Sequence, residues 1–400
     1  MQMRPKIPSP RRPVVDYLRF VLPWAANPDD DHQLMFERAR ERIQAEIDNG
    51  TCEGSFAPRF RYRYVVVIPL PGGSEPIVRI GALDPVRQKG GISVSLNPSK
   101  LVSGDIEHFH EVMERIVGRS YKSLLRRALL SRIDFAVDIV HARLDRMLVS
   151  YGGTQQFTVF GKTVNSKGIV ETYNFGSANS NYMTSAYSKN IERRHRAIMA
   201  IAKHGLRDES TKANFIKQLD QLHNEPPTVR VEVRGVKLNG LSLHALNKLT
   251  NRFARFAFAD LNTGGLELPK KLQDVFISLC RDRGVKAALE HYKGTPDVRK
   301  VNAFWRSRRA SWWKPEPMME KACHALRCSG IFPDEAFVGD DNRLESQNMQ
   351  AFKRAEPGAL PRKVATRTTL TRTLPHPAAR TRGGASAPRQ LTMLAGRRIG

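Results

Sequence analysis

Tyr187 stands two residues before Lys189 in a chain of 400 residues and net charge +26. A tyrosine that attacks a phosphodiester develops charge that a nearby cation stabilises. Residues two apart on a strand face the same way, so an extended stretch over 182–189 would project Tyr187 and Lys189 together. An ordinary phenol has a pKa of about 10 and is a weak nucleophile at neutral pH. It needs a metal-polarised phosphate, a base, or the Lys189 cation. The competing reading is a half-buried strand tyrosine that only packs. Tyr173 and Tyr182 are rival nucleophiles, and Tyr182, five residues before Tyr187, would face the opposite way on a regular strand.

Three carboxylates, Asp134, Asp138 and Glu232, lie on the polar faces of predicted strands. An Mg2+ or Mn2+ site uses hard oxygen ligands, commonly one or two carboxylates with water and phosphate. Asp134 and Asp138 share a face but sit roughly 13 Å apart at the usual strand rise. One of them, joined by Glu232 from a neighbouring strand, is the better metal set. The alternative is that these acids pair with arginines such as Arg132 or Arg234.

Other clusters carry weaker signals. His108-Phe109-His110 has the His-hydrophobic-His form of single-strand nicking enzymes, but its surroundings predict a helix, where residues two apart diverge. Tyr121 follows eleven residues later. Cys323, His324 and Cys328 lack the paired spacing of a zinc ribbon, and with Cys52 and Cys280 they are too sparse for a disulfide scaffold. Phe304, Trp305, Arg306, Arg308 and Arg309, with Trp312-Trp313, mix aromatics and cations. That mixture suits stacking on bases and binding phosphates, or equally a small aromatic core under solvated arginines.

The elements that must position these residues follow from periodicity. Residues 131–140 are the best strand: Ile133, Phe135, Val137 and Ile139 alternate with Asp134, Ala136 and Asp138. A second strand is expected over 228–237, with Val231 and Val233 on one face and Arg230, Glu232 and Arg234 on the other. Further strands are expected at 62–69, 76–83, 91–96, 156–160, 169–175 and 182–189. Helices are expected at 32–47, at 105–130 with a break near Gly118, at 144–150, within 190–227, at 241–258 and at 272–291. The fold class is α+β: an antiparallel sheet with helices packed on one face, a helical C-terminal part and a disordered basic tail. The expected organisation is a basic, mostly irregular arm and first helix over 1–55, a catalytic α+β domain over 56–240, a helical DNA-binding region over 241–345, and the tail over 346–400.

An excess of 26 positive charges is not needed for folding and points to a polyanion, nucleic acid before an anionic membrane surface. No run approaches the ~18 apolar residues of a membrane span, and no apolar signal core follows the basic residues 1–13. A cytoplasmic protein is expected.

Taken in order, three blocks resemble the replication initiation factor family, the rolling-circle initiators of plasmids and filamentous phages. SRIDFAVD at 131–138 looks like the family's S-R-I/V-D-x-A-x-D strand. TYNFGSANS at 172–180, with AYSK at 186–189, is similar to Y-x-G-S-R-x-S followed by R-x-Y-D/N-K. RVEVR at 230–234 resembles the family's R-V/I-E block. The likeness spans residues 60–315, with Trp312-Trp313 like a tryptophan-rich closing segment. Ala178 stands where the family has arginine, and Thr184-Ser185 replaces the arginine before the tyrosine.

The resemblance implies a DNA nicking-closing endonuclease. Tyr187 would be the nucleophile, Lys189 would steady the developing charge, and Glu232 with Asp134 or Asp138 would hold Mg2+ or Mn2+. The product would be a 5′-phosphotyrosyl link and a free 3′-OH primer. Arg230, Arg234, Arg306, Arg308 and Arg309 are the expected DNA contacts. The implied partners are double-stranded origin DNA, the displaced single strand, a helicase and polymerase of a bacterial host, and a second copy in a homodimer, with no membrane. The rival is a non-catalytic repressor or degenerate initiator that only grips the origin.

Overall fold

Alternation along residues 131–140 places that strand at the centre of a large antiparallel sheet. The computed structural model describes residues 6–24, 32–56, 61–84, 91–153, 157–164, 167–177, 183–204, 209–262 and 264–338. The strands are β1 (Ser9–Pro10), β2 (Val14–Leu22), β3 (Glu53–Ser55), β4 (Tyr62–Val67), β5 (Ile77–Ala82), β6 (Ile92–Leu96), β7 (Leu129–Val140), β8 (Met147–Tyr151), β9 (Phe157–Val164), β10 (Lys167–Phe175), β11 (Thr184–Ser188), β12 (Thr228–Ser242) and β13 (Phe256–Asp260). The helices are α1 (His32–Asp48), α2 (Asp105–Val117), α3 (Tyr121–Arg126), α4 (Lys189–His204), α5 (Glu209–Asn224), α6 (Lys270–Arg283), α7 (Val285–His291), α8 (Val298–Ser307) and α9 (Met318–Arg327). The main sheet runs β3-β4-β5-β6-β2-β7-β12-β11-β10-β9, with β1 also on β7, while β8 and β13 form a separate ribbon.

One face of the sheet is apolar. Ile133, Phe135, Val137 and Ile139 of β7 are all at most 2% exposed, and Val229, Val231 and Val233 of β12 join them. Burying each such side chain contributes about 1.5–3 kcal/mol. Helices α1, α2, α3 and α9 supply Phe36, Ile43, Val112, Ile116, Leu124 and Leu326 to the same core. A second core forms where α6, α7 and α8 pack Phe276, Ala288, Val301 and Phe304 around Leu148 and Ala259 of the ribbon. The α+β class expected from sequence is therefore observed.

Several expected elements differ. Within the expected irregular arm, the described residues 6–24 are not mostly irregular: β2 lies within the sheet between β6 and β7. Its buried residues are Val15, Leu18, Phe20 and Leu22, so the two-residue period slips by one between Val15 and Leu18. The slip is a bulge at Asp16, where the pairing with β7 jumps from Val15–Phe135 to Tyr17–Asp134. The expected helix at 144–150 is a short 3-10 turn followed by β8, and the one at 241–258 is two 3-10 segments leading into β13. Phe256 and Phe258 alternate with Ala257 on that ribbon, a strand period read as helical because the apolar run is short. The break near Gly118 is present: its φ of +86°, which suits glycine, ends α2. The expected tail at 346–400, together with Ala178 and Tyr182, lies outside the described residues.

Candidate functional site

The face of the sheet opposite the core is polar across several strands, and the three sequence blocks meet on it. Strands β7, β12 and β11 are consecutive neighbours in the sheet. In the β7–β12 register Asp138 is opposite Arg230, Ala136 opposite Glu232 and Asp134 opposite Arg234. In the β11–β12 register Tyr187 is opposite Arg230 and Ser185 opposite Glu232. Directly opposed residues share a face. Tyr187, Arg230, Glu232, Arg234, Asp134 and Asp138 therefore point to one side.

Tyr187 is the next-to-last residue of β11, which ends at Ser188, and Lys189 is not on the strand: it opens α4. The two still meet, because the Lys189 Nζ lies 5.9 Å from the centroid of the Tyr187 ring. Lys189 also pairs with Glu192 one helical turn on, at 2.8 Å. Burial pushes the Tyr187 phenol well above its ordinary pKa, Glu232 adds to that rise, Arg230 opposes it, and Asp16 and Glu192 push it further up. Each upward push favours the neutral phenol over the phenolate. Tyr187 and Glu232 line one cleft of about 780 Å³, walled on one side by the β10–β12 face and on the other by Ile191, His195 and Ile198 of α4.

The carboxylates are matched by guanidinium groups. Arg230 donates from Nε to Asp138 Oδ1 at 2.6 Å, from Nη2 to Asp138 Oδ2 at 2.8 Å, and from Nη1 to Asp16 Oδ1 at 2.7 Å. Arg132 grips Asp134 through Nε and Nη2, and its guanidinium carbon sits 4.5 Å from the Tyr17 ring centroid. Arg234 bridges two acids, with its Nε 2.7 Å from Glu232 Oε1 and 3.9 Å from Asp134 Oδ2. Asp134 is 1% exposed. Burial raises its pKa above the usual range and Glu232 pushes it further up, while Arg132 and Arg234 pull it down.

Among the described residues, no group of three or more His, Cys, Asp or Glu side chains is placed to hold a metal ion together. A hard divalent ion with one or two protein carboxylates asks for less. Asp134 and Glu232 have that chemistry: two neighbouring acids held by one shared cation, Arg234. Asp138 is further committed, with both oxygens on Arg230.

The rival residues separate clearly. Tyr173 is 1% exposed, donates to the Met147 carbonyl at 3.4 Å, and has its pKa pushed up to about 12 by burial. Tyr121 is 2% exposed, its hydroxyl 2.7 Å from His110 Nδ1, with burial raising its pKa. His108 and His110 lie on α2, as the sequence predicts, and Phe109 between them is in the core. Arg306 and Arg309 are exposed, whereas Arg308 is 6% exposed and donates to the Leu261 carbonyl at 3.1 Å. Trp313 packs on Phe253, Phe256 and Phe258, so it fills core rather than presenting a stacking surface. His324 Nδ1 receives Arg12 at 3.0 Å and lies 3.3 Å from Cys328 Sγ.

Sequence reasoning missed two groups. Asp16 reaches Arg230 because the β2 bulge re-aims it. Its signal was the Val15–Leu18 slip, visible only once β2 is recognised as a strand. Glu192 joins Lys189 and Arg196, and its three-residue spacing from Lys189 was legible once Lys189 is placed on a helix.

No protein-family model matches the sequence, and no curated protein matches it. Among solved structures, the chain is similar to a rolling circle replication initiator protein from Geobacillus stearothermophilus, with a TM-score of 0.29 and 14% identity over 57% of this chain and 76% of that one. Likeness at that level assigns neither fold nor function. No helix among the described residues is long and apolar enough to cross a membrane.

Proposed function

We propose that this protein initiates rolling-circle replication by nicking one strand of a phage or plasmid origin through Tyr187. The observation that supports this reading is convergence. Blocks separated by up to about a hundred residues in sequence, and similar in order to those of the initiator family, form adjacent strands with their polar side chains on one face.

In the proposed reaction the Tyr187 oxygen attacks the scissile phosphorus. The bond to the 3′ oxygen breaks, leaving a 5′-phosphotyrosyl link and a free 3′-OH. The phenolic proton leaves into the cleft, where Glu232 is the carboxylate whose charge acts most strongly on the phenol. The departing 3′ oxygen takes up a proton. Lys189 and Arg230 flank the ring and oppose the negative charge that builds during attack. A bound Mg2+ or Mn2+, with Asp134 and Glu232 as its protein ligands, would supply polarisation of a phosphate oxygen. Arg306 and Arg309, both exposed, would hold backbone phosphates. Origin DNA, its displaced strand, a host helicase and polymerase, and a second copy of the chain are the proposed partners.

The second reading is a DNA-binding protein without catalysis. It is favoured by the arginines that already fill the acidic positions and by the raised phenol pKa. Supercoiled origin DNA with Mg2+ or Mn2+ separates the two. A nicking enzyme leaves relaxed circles and a denaturant-stable protein–DNA adduct. A binder leaves only a salt-sensitive mobility shift.

A further inference from the structure

Helix α4 separates two clefts on the polar face, and of the residues that line the second only Lys189 and Arg230 enter the reaction above. Residues Ile191, His195 and Ile198 line the Tyr187 cleft, while Lys189, Asn190 and Arg193 line a second cleft of about 520 Å³, and Arg196 borders both. These sets are spaced by three and four residues, so they are two sides of one helix. The floor of the second cleft is Asp138 and Arg230, the arginine directly opposite Tyr187. Its far wall brings Arg11, whose N–H donates to the Asp138 carbonyl of β7, and Asn97 and Lys100, which follow β6.

The charge of this cleft is unbalanced. Six cations line it against three carboxylates: Arg11, Lys100, Lys189, Arg193, Arg196 and Arg230 face Asp16, Asp138 and Glu225. All three acids are already closed by cations. Asp16 and Asp138 are held by Arg230, and Glu225 by Arg193 at 2.5 Å. Lys189 and Arg196 share Glu192. Arg11 and Lys100 are exposed at the mouth, and no acid among the described residues forms an ion pair with either. The wall is also fixed: Asn190 accepts from the Thr228 N–H at 2.7 Å and donates to the Pro226 carbonyl at 3.2 Å. A cleft of this volume, floored by the arginine that stands opposite Tyr187 and carrying surplus cations, suits one or two phosphodiester-linked nucleotides.

We infer that this second cleft is a phosphate-binding subsite for single-stranded DNA, holding the strand on the side of Tyr187 away from the first cleft. A single strand entering one cleft and leaving by the other would pass α4 at Tyr187 and Lys189. This subsite rests on the proposed nicking function for its biological meaning but not for its test, which reads binding alone.

The test uses the full chain carrying Tyr187→Phe, so that no reaction intervenes, and a fluorescent single-stranded oligonucleotide of about 12 nucleotides. Binding is followed by anisotropy across a salt series for three proteins: the parent, Arg11→Glu with Lys100→Glu, and Lys270→Glu with Lys293→Glu. The last pair makes the same change in net charge at exposed lysines on α6 and after α7. The cleft pair is expected to weaken binding at least about tenfold and to flatten the salt slope by about 1.4, two contacts at ~0.7 each. The control pair is expected to change affinity far less, with the parent slope retained. Arg11→Gln with Lys100→Gln should give a smaller loss in the same direction. Equal losses in the cleft and control pairs would overturn the subsite and leave the nicking question, read by adduct formation, untouched.

Discussion

Arg230 stands directly across from Tyr187 in the β11–β12 register, and its guanidinium is closed on the other side by Asp138 and Asp16. The cation nearest the candidate nucleophile in the sheet is therefore not free to hold a phosphate by itself. It carries two acids, one delivered by the bulge in β2, and it moderates a phenol that burial and Glu232 push up. Stability and the proposed chemistry are coupled through this one side chain.

Replacing Arg230 with Met would leave Asp16 and Asp138 facing each other without their shared cation. A broken buried pair costs about 3–5 kcal/mol, and because both acids are about a quarter exposed the low end, about 3 kcal/mol, is expected. Arg230→Lys keeps the charge but not the fork, and should recover part of that loss. Urea unfolding midpoints measure both. A loss under about 1 kcal/mol for the Met variant would mean the triad is solvated.

Glu232→Gln removes the strongest neighbouring negative charge acting on Tyr187, so the phenol pKa should fall. The sign is fixed: a carboxylate disfavours phenolate, and its neutral replacement does not. Ultraviolet titration of Glu232→Gln, differenced against the same protein with Tyr187→Phe, isolates the one phenol. Nicking should fall in the same variant, because a carboxylate of the site is gone. An unchanged titration would show that Glu232 does not sense Tyr187.

Asp134 has a folded-state pKa raised by burial above its unfolded value. Its protonated form is thus favoured by folding, and that contribution is present below the unfolded pKa and lost as pH rises through the folded value. Asp134→Asn cannot lose it. The variant's stability relative to the parent should therefore improve as pH rises from about 4 toward neutrality. Paired urea titrations across that window measure the trend, and a flat difference would contradict it.

The three arginines near the end of α8 should divide by burial. Arg308→Ala should lower stability by about 1–3 kcal/mol while leaving DNA affinity unchanged, since its guanidinium holds the Leu261 carbonyl inside the fold. Arg306→Ala and Arg309→Ala should leave stability within about 0.5 kcal/mol and weaken DNA binding in a salt-dependent way. Thermal unfolding and a salt series of mobility shifts separate these outcomes.

Much of the site was legible because strand periodicity is local. Alternation in residues 131–140 and 228–237 was enough to place Asp134, Asp138, Arg230, Glu232 and Arg234 on polar faces, and the structure makes those strands neighbours. What was hidden depended on interruption or on long-range pairing. The bulge at Asp16 breaks the period of β2, so a strand inside the sheet read as an irregular arm. Lys189 looked like strand because helix α4 begins one residue after Ser188. The ribbon of β8 and β13 is made of short apolar runs, and only their mutual pairing distinguishes them from helix. Whether the acids meet arginines or an ion was left open by spacing, and the side-chain geometry gives the arginine partners.

The most direct measurement is adduct formation on supercoiled origin DNA with Mg2+ or Mn2+, comparing the parent chain with Tyr187→Phe and mapping the attached peptide. The expected result is a denaturant-stable adduct on the peptide containing Tyr187, lost with chelation of the metal. The Tyr187→Phe protein should bind the same DNA equally well and form none. An adduct that persists in Tyr187→Phe would contradict the assignment of the nucleophile. No adduct from the parent, with a salt-sensitive shift intact, would contradict nicking altogether.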